Sequence, residues 1–274
     1  MSGLAATLRQ LDDQFDEFKR ILVTLSRIPS VSADGFPARE VQRSAKAFAD
    51  LLRRVGVRNV EVLEVKGAHP YVYGDWLGRP SAPTIVLYGH HDVVPPGRPQ
   101  RWKSPAFEPT ERNGRLYGRG TADDKGGILV HVAAVAAYLK ATGSLPCNVK
   151  FLIEGEEEIG SENLARFLLR HKRKLAADAV VLSDTSNFDT GVPALTYRLR
   201  GLCVVDVEVR CLKQPVHSGQ KGGPIPDPVQ ILCRLIADLT AADGSLKIPG
   251  LYKRVARGSA RQRSRIRRLP FDAR

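Results

Sequence analysis

The stretch TIVLYGHHD, residues 84–92, decides how this chain is read. An apolar run closed by a glycine has the length and flanks of a buried strand. It ends on His90, His91 and Asp92. In open α/β sheets, binding sites gather at the carboxyl ends of strands, so the histidines fall where a ligand would sit. An imidazole at residue 90 could hold a metal ion through one nitrogen. Asp92, two residues further along an extended chain, projects to the same side and could accept the other ring N–H. A polar turn at a strand end accounts for these three residues equally well when they are taken alone.

Three further stretches repeat the pattern. LYGRGTADDKGG, residues 116–127, is a glycine-rich turn that enters an apolar helix and carries Asp123 and Asp124. Adjacent aspartates at a helix entrance are often caps; a carboxylate also has two oxygens and can bridge two cations, which makes Asp123 a candidate bridge. EGEEEIGS, residues 154–161, follows the apolar run 149–153. An acidic run is commonly a solvated surface, but carboxylates crowded at a strand end repel one another unless cations compensate. One of Glu157 and Glu158 could bind metal while the other takes a proton from water. Ser183-Asp184-Thr185 closes the run 179–182, where an aspartate is commonly a turn residue. The recurrence decides the matter: successive strand ends deliver His90, Asp123, Glu157 with Glu158, and Asp184.

The rest of the chain supplies the frame. Leu8, Leu11, Phe15, Phe18, Ile21 and Leu22 recur at helical spacing, and a second amphipathic stretch spans 39–55 before Gly56. Strands are expected at 60–65, 84–88, 149–153 and 179–182, and helices at 125–140 and 162–171. This alternation predicts an α/β sandwich with a mostly parallel sheet. From Tyr197 the texture changes to a long alternating β stretch, RLRGLCVVDVEVRC, followed by a Gly/Pro-rich loop and a helix at 228–239. A domain boundary is placed near residue 195, giving domains 1–195 and 196–274.

Composition narrows the function. With 43% hydrophobic residues in 274, the chain can bury a core. Cys147, Cys203, Cys211 and Cys233 form no CxxC pair and are read as reduced core thiols, which suggests the cytoplasm. The N-terminal residues show no secretory signal, and no segment is long and apolar enough for a bilayer. The net charge of +13 invites nucleic acid as a partner. However, residues 253–274 hold nine Lys and Arg against Asp272 alone, leaving only +5 for the rest, and no aromatic-interleaved platform accompanies them. Nucleic acid is not an expected partner. Imidazole and carboxylate ligands without thiolate suit Zn2+, Mn2+ or Co2+, and a shared carboxylate suits a dinuclear site that hydrolyses amides.

These motifs, with VHSGQKGG at 216–223, resemble the M20 metallopeptidase family in order and spacing, in particular its carnosinase and PepV-like dipeptidase branch. The resemblance spans about residue 15 to residue 250. It implies a zinc-exopeptidase-like three-layer sandwich carrying an inserted α+β lid that forms homodimers, with both parts incomplete at the C-terminus. It also implies two zinc ions per full site: His90 and Asp184 on one, Asp123 bridging, and Glu158 on the second. Asp92 would orient His90, Glu157 would be the general base, and His91 sits at the family's variable position. His217 is similar to the lid histidine that reaches a partner subunit's site and stabilises the oxyanion. The family's further histidine ligand is expected beyond the lid and is not in this chain. The substrate implied is a dipeptide or short peptide; an N-acyl or succinyl amino acid, and a catalytically impaired metal-binding or interaction fragment, are the alternatives. Trp102 is expected to pack structurally, and His69, His131 and His171 match no motif.

Overall fold

The periodic apolar residues of the N-terminal segment form α1 (Gly3–Ser26), whose Phe18 and Leu25 are buried. Val41, Ala45, Phe48, Ala49 and Leu52 form the buried stripe of α2 (Ala38–Arg54). This helix stops where Gly56 takes a φ of 92°, a conformation open to glycine. The computed structural model describes residues 3–196, 199–256 and 258–270. The chain divides into two units, Met1–Ser186 and Asn187–Arg274; residue 195 lies within the second.

Five strands build the sheet of the first unit: β1 (Arg58–Leu63), β2 (Tyr71–Trp76), β3 (Thr84–His90), then β6 (Asn148–Glu154) and β7 (Ala179–Leu182). Between β3 and β6 lie a small hairpin, β4 (Thr110–Arg112) and β5 (Arg115–Tyr117), and α3 (Lys125–Thr142). The helices α4 (Leu164–Arg170) and α5 (Lys172–Leu175) precede β7. The strand order is β1-β2-β6-β3-β7. β2 is antiparallel to both neighbours, whereas β3 runs parallel to β6 and β7, so four of the five strands point one way. The expected α/β layering with a mostly parallel sheet is present.

Alternation along the strands gives each sheet face its own core. Leu87 and Phe151 join Phe18, Phe48, Leu52 and Val132 beneath α1, α2 and α3. Their chain neighbours Val86 and Leu152 turn the other way, to Tyr71 and to Phe167 of α4. Helices therefore cover both faces, and the three layers are helix, sheet, helix. No helix among the described residues is long and apolar enough to cross a membrane.

The second unit holds α6 (Ser218–Lys221), α7 (Pro228–Asp238) and α8 (Ala260–Arg267). Asp227 caps α7 by accepting from the Val229 N–H. Among its described residues, 199–211 form no strand, although a long β stretch was expected; Tyr197, where that stretch begins, lies outside the described residues. The reason is physical. Leu202 is 90% exposed and Val204 79%, and no neighbouring strand takes up their backbone groups, which an isolated extended segment cannot satisfy stably. The four cysteines are unpaired; Cys147 is half-buried against the larger core, whereas Cys211 is half-buried elsewhere and Cys203 and Cys233 are exposed rather than core residues.

Leu52→Ala, which opens a cavity at a fully buried position, should destabilise the chain by about 2–5 kcal/mol in urea unfolding. Leu202→Ala should change stability by no more than about 0.5 kcal/mol.

Candidate metal centre at the strand ends

Sheet register explains why distant residues meet. Tyr88 pairs with Leu182 and His90 with Glu154, so the ends of β3, β6 and β7 lie along one edge. Two residues beyond Leu182, Asp184 reaches the level of His90. The entrance of α3 closes on the same edge: the His90 N–H donates to Asp124 Oδ2 at 3.1 Å. Only glycine permits this approach, because a Cβ on Gly89 would lie 2.6 Å from Asp124 Oδ2 and 2.6 Å from Ile128.

The His90 ring, fully buried, is the hub. Its Nε2 lies 3.0 Å from Asp123 Oδ1, 3.8 Å from Glu157 Oε2 and 3.8 Å from Asp184 Oδ2. Its Nδ1 lies 3.4 Å from Asp92 Oδ1 and 3.2 Å from the Asp92 carbonyl. Asp92 is buried and accepts from Ser32 Oγ at 2.6 Å, from the Glu157 N–H at 3.2 Å and from the Glu158 N–H at 3.1 Å. One carboxylate thus holds both the imidazole and the acidic turn.

Two sets of ligand atoms converge within 4.8 Å of one another: His90, Asp123 and Glu158, and His90, Glu157 and Asp184. All six residues placed in the first unit by the sequence reading, Asp92 included, come together here. Within these sets Glu157 stands with His90 and Asp184, and Glu158 with His90 and Asp123. His217 belongs to the second unit, where it caps α6 and its Nδ1 accepts from the Gly219 N–H at 3.1 Å. In a neutral ring that contact leaves the proton on Nε2.

The charges are unbalanced in a way a cation would relieve. Burial alone would lower the His90 pKa, but Asp92, Asp124 and Glu157 raise it to about 10. Burial raises Asp124 to about 7, with Asp184 and Asp123 adding to the shift and His90 opposing it. Burial also raises Glu157 and Glu158, helped by Asp184 for the first and by Asp123 for the second. Asp92 goes the other way: despite its burial, hydrogen bonds from His90 and Ser32 hold it below the usual carboxylate range. Asp124 Oδ1 and Ser183 Oγ are buried with no hydrogen-bond partner. A donor set of one imidazole and several carboxylates fits a divalent ion of the Zn2+, Mn2+ or Co2+ kind.

The other histidines stand apart. His91 is buried with Nε2 3.0 Å from the Pro70 carbonyl, and burial pushes its pKa down to about 4; it belongs to neither ligand set. His69 faces the Ser32 carbonyl, His131 is buried on α3, and His171 packs on the Phe167 ring. Trp102 donates to the Pro96 carbonyl and lies under the Arg119 guanidinium, a packing role. Sequence reasoning passed over Ser32, which lies in no motif, and treated Asp124 only as a cap; nothing in the text of the chain tells which of two adjacent aspartates turns inward.

The profile of peptidase family M20/M25/M40 matches residues 86–243. The Beta-Ala-His dipeptidase of Mus musculus is 32% identical over 99% of this chain and 58% of its own length. The Cys-Gly metallodipeptidase dug1 of Schizosaccharomyces pombe is 33% identical over 90% of this chain and 54% of its own. Among solved structures, human carnosine dipeptidase 1 superposes with a TM-score of 0.73 at 27% identity, covering all of this chain and 60% of that one. The M20 family metallo-carboxypeptidase Sso-CP2 of Sulfolobus solfataricus gives 0.74 at 28% identity, covering 93% and 57%. The chain thus spans somewhat more than half the length of these relatives.

An ion binding through His90 must displace a proton held with a pKa of about 10. Zn2+ affinity should therefore rise up to about tenfold per pH unit from pH 6 to 9, with proton release, measurable by titration calorimetry in buffers of different ionisation enthalpy. Asp92→Asn removes the strongest cause of that raised pKa and turns an NH2 group on one of the two backbone anchors, the N–H groups of Glu157 and Glu158. It should weaken Zn2+ binding by about 10–100-fold and flatten the pH dependence.

Proposed function

Since the chain belongs to peptidase family M20/M25/M40, we propose that it is a metal-dependent hydrolase of dipeptides or short peptides, using the His90 centre. The observation that carries this reading is the convergence at one sheet edge of two sets of ligand atoms sharing His90, one with Asp123 and Glu158 and one with Glu157 and Asp184, each within 4.8 Å. The dipeptidase names of the relatives favour peptides over N-acyl amino acids. Zinc is the ion we assign, at two per full site. When bound, it would supply Lewis acidity to the scissile carbonyl and acidify water.

The chain's own residues do the rest. Glu157 takes the proton of the attacking water as the C–O bond forms and delivers it to the amide nitrogen as the C–N bond breaks. Burial and the neighbouring Asp184 raise its affinity for that proton, which suits a group that must both accept and return it. Asp92 fixes the His90 ring and, through two N–H groups, the turn bearing Glu157 and Glu158. Asp123 would bridge the two ions, Asp184 and Glu158 would each hold one of them, and His217 donates from Nε2 to the oxyanion of a partner subunit in a homodimer formed through the second unit. We assign the protein to the cytoplasm, where its unpaired cysteines stay reduced.

Dipeptide hydrolysis should appear with added Zn2+ or Mn2+ and vanish with a chelator. A panel of dipeptides and N-acyl amino acids in which only the latter turn over would refute the peptide assignment. Glu157→Gln should lower kcat by about 10²–10⁴-fold while leaving metal stoichiometry intact; loss of an ion instead would make Glu157 a ligand.

A further inference from the structure

The acidic run after β6 is split by its backbone into two pairs with opposite surroundings. Glu157 and Glu158 face His90 and are half-buried. Glu154 and Glu156 turn back into the protein and are buried. Glu156 is the better connected. Its Oε1 accepts from Tyr71 Oη at 2.8 Å and from the Asn163 N–H at 2.9 Å, and its Oε2 accepts from Asn163 Nδ2 at 3.1 Å and from the His69 N–H at 3.3 Å.

All four donors are neutral, and they come from three places: the loop before β2, β2 itself, and the residue that leads into α4. The Glu156 carbonyl closes the turn as well, accepting from the Ile159 N–H at 3.4 Å and the Ser161 N–H at 3.0 Å. The 3-10 turn Glu157–Ile159 is thereby gripped from both sides. Asp92 holds its first two N–H groups, and Glu156 anchors its root to the body of the protein.

We infer that Glu156 is a positioning residue of the His90 centre: through four donors it fixes the turn that carries Glu157 and Glu158, and it touches neither ligand set itself. This rests on reading that centre as a metal site. The chemistry makes the claim specific. A carboxylate only accepts, so its two oxygens satisfy all four donors, whereas an amide of the same shape turns an NH2 group on at least one of them. Leaving buried donors opposed by another donor is strongly unfavourable.

The test is a cycle of variants in the full chain, read by Co2+ titration with its visible absorption and by hydrogen exchange. Glu156→Gln should weaken Co2+ binding by about 10–100-fold and change the absorption spectrum. Asn163→Asp alone sets two carboxylates against each other and should also weaken binding. In the double variant the introduced amide donates to the introduced carboxylate, which keeps its contact with Arg166; the His69 N–H stays opposed by that amide, so binding should be tighter than in either single variant while remaining below that of the unmodified chain. Unchanged affinity and spectrum in Glu156→Gln, or no recovery in the double variant, would overturn the inference. If Glu156→Gln does not fold, Tyr71→Phe removes one donor and should weaken binding by about threefold or more; no change in that variant counts equally against the role. Should the unmodified chain take up no Co2+, the metal reading falls on its own. Exchange at the Ile159 and Ser161 amides then decides Glu156: faster exchange in Glu156→Gln supports the anchor, and unchanged exchange rejects it.

Discussion

Everything at the strand ends hangs on the Asp92 carboxylate. It is buried, and an ionised group there is tolerable only if its oxygens are satisfied. Ser32 Oγ and the N–H groups of Glu157 and Glu158 do so, with the His90 ring beside them. Those partners lie on three separate parts of the chain: the segment after α1, the end of β3 and the turn after β6. Satisfying one charge therefore fixes the relative placement of all three. The segment after α1 is held a second time, since Ser30 donates to the His91 carbonyl and accepts from the Val93 N–H. A third tie is Lys125 at the start of α3, whose Nζ donates to the carbonyls of Leu25 and Ile28.

This architecture gathers more carboxylates around His90 than that one imidazole can balance. Lys125 is fully buried, and its ammonium points to backbone carbonyls rather than to a carboxylate; burial pushes its pKa down to about 7. Asp124, Glu157 and Glu158 consequently hold their protons more tightly than free carboxylic acids, and His90 more tightly than free imidazole. A centre optimised for stability alone would not gather so many acids around one ring. Local rules broken in this way mark a functional site, and the break is resolved by whatever cation the site is built to take.

How much of this the sequence discloses follows from what kind of information each element needs. β6 is legible because a fully buried strand reads as a short apolar run; β7 (Ala179–Leu182) coincides with the expected 179–182 because its run is apolar throughout, although its residues are exposed. β2 is not legible: YVYGDW shows no clean alternation because all six residues are buried, and its place between β1 and β6 is set by distant partners. The hairpin β4–β5 turns on Asn113-Gly114, both with positive φ, but its three-residue strands give too little pattern to read. Residues 199–211 fail in the opposite sense. Their alternation is strong, yet alternation records only a capacity to be half-buried, and a strand also needs a partner. At the site, residue types and strand ends are visible in the text, whereas the inward or outward sense of each acid is decided by hydrogen bonds such as those from Ser32 to Asp92 and from Tyr71 and His69 to Glu156, between residues 60 or more positions apart.

That distinction bears on how two ions would share the centre. Both ligand sets include His90 Nε2, and an imidazole nitrogen has one lone pair, which can serve one ion. With His90 serving one ion and Glu157 kept free as the base, the other ion would have carboxylate oxygens only, those of Asp123 and Glu158. Oxygen-only coordination suits harder cations and holds zinc less well than a set with imidazole. Among the described residues, then, the geometry supports one strong position and one weak one. The anchoring of the Glu157–Ile159 turn by Asp92 and Glu156 matters most for the weak one, because two carboxylates can hold an ion only if the backbone fixes their separation beforehand.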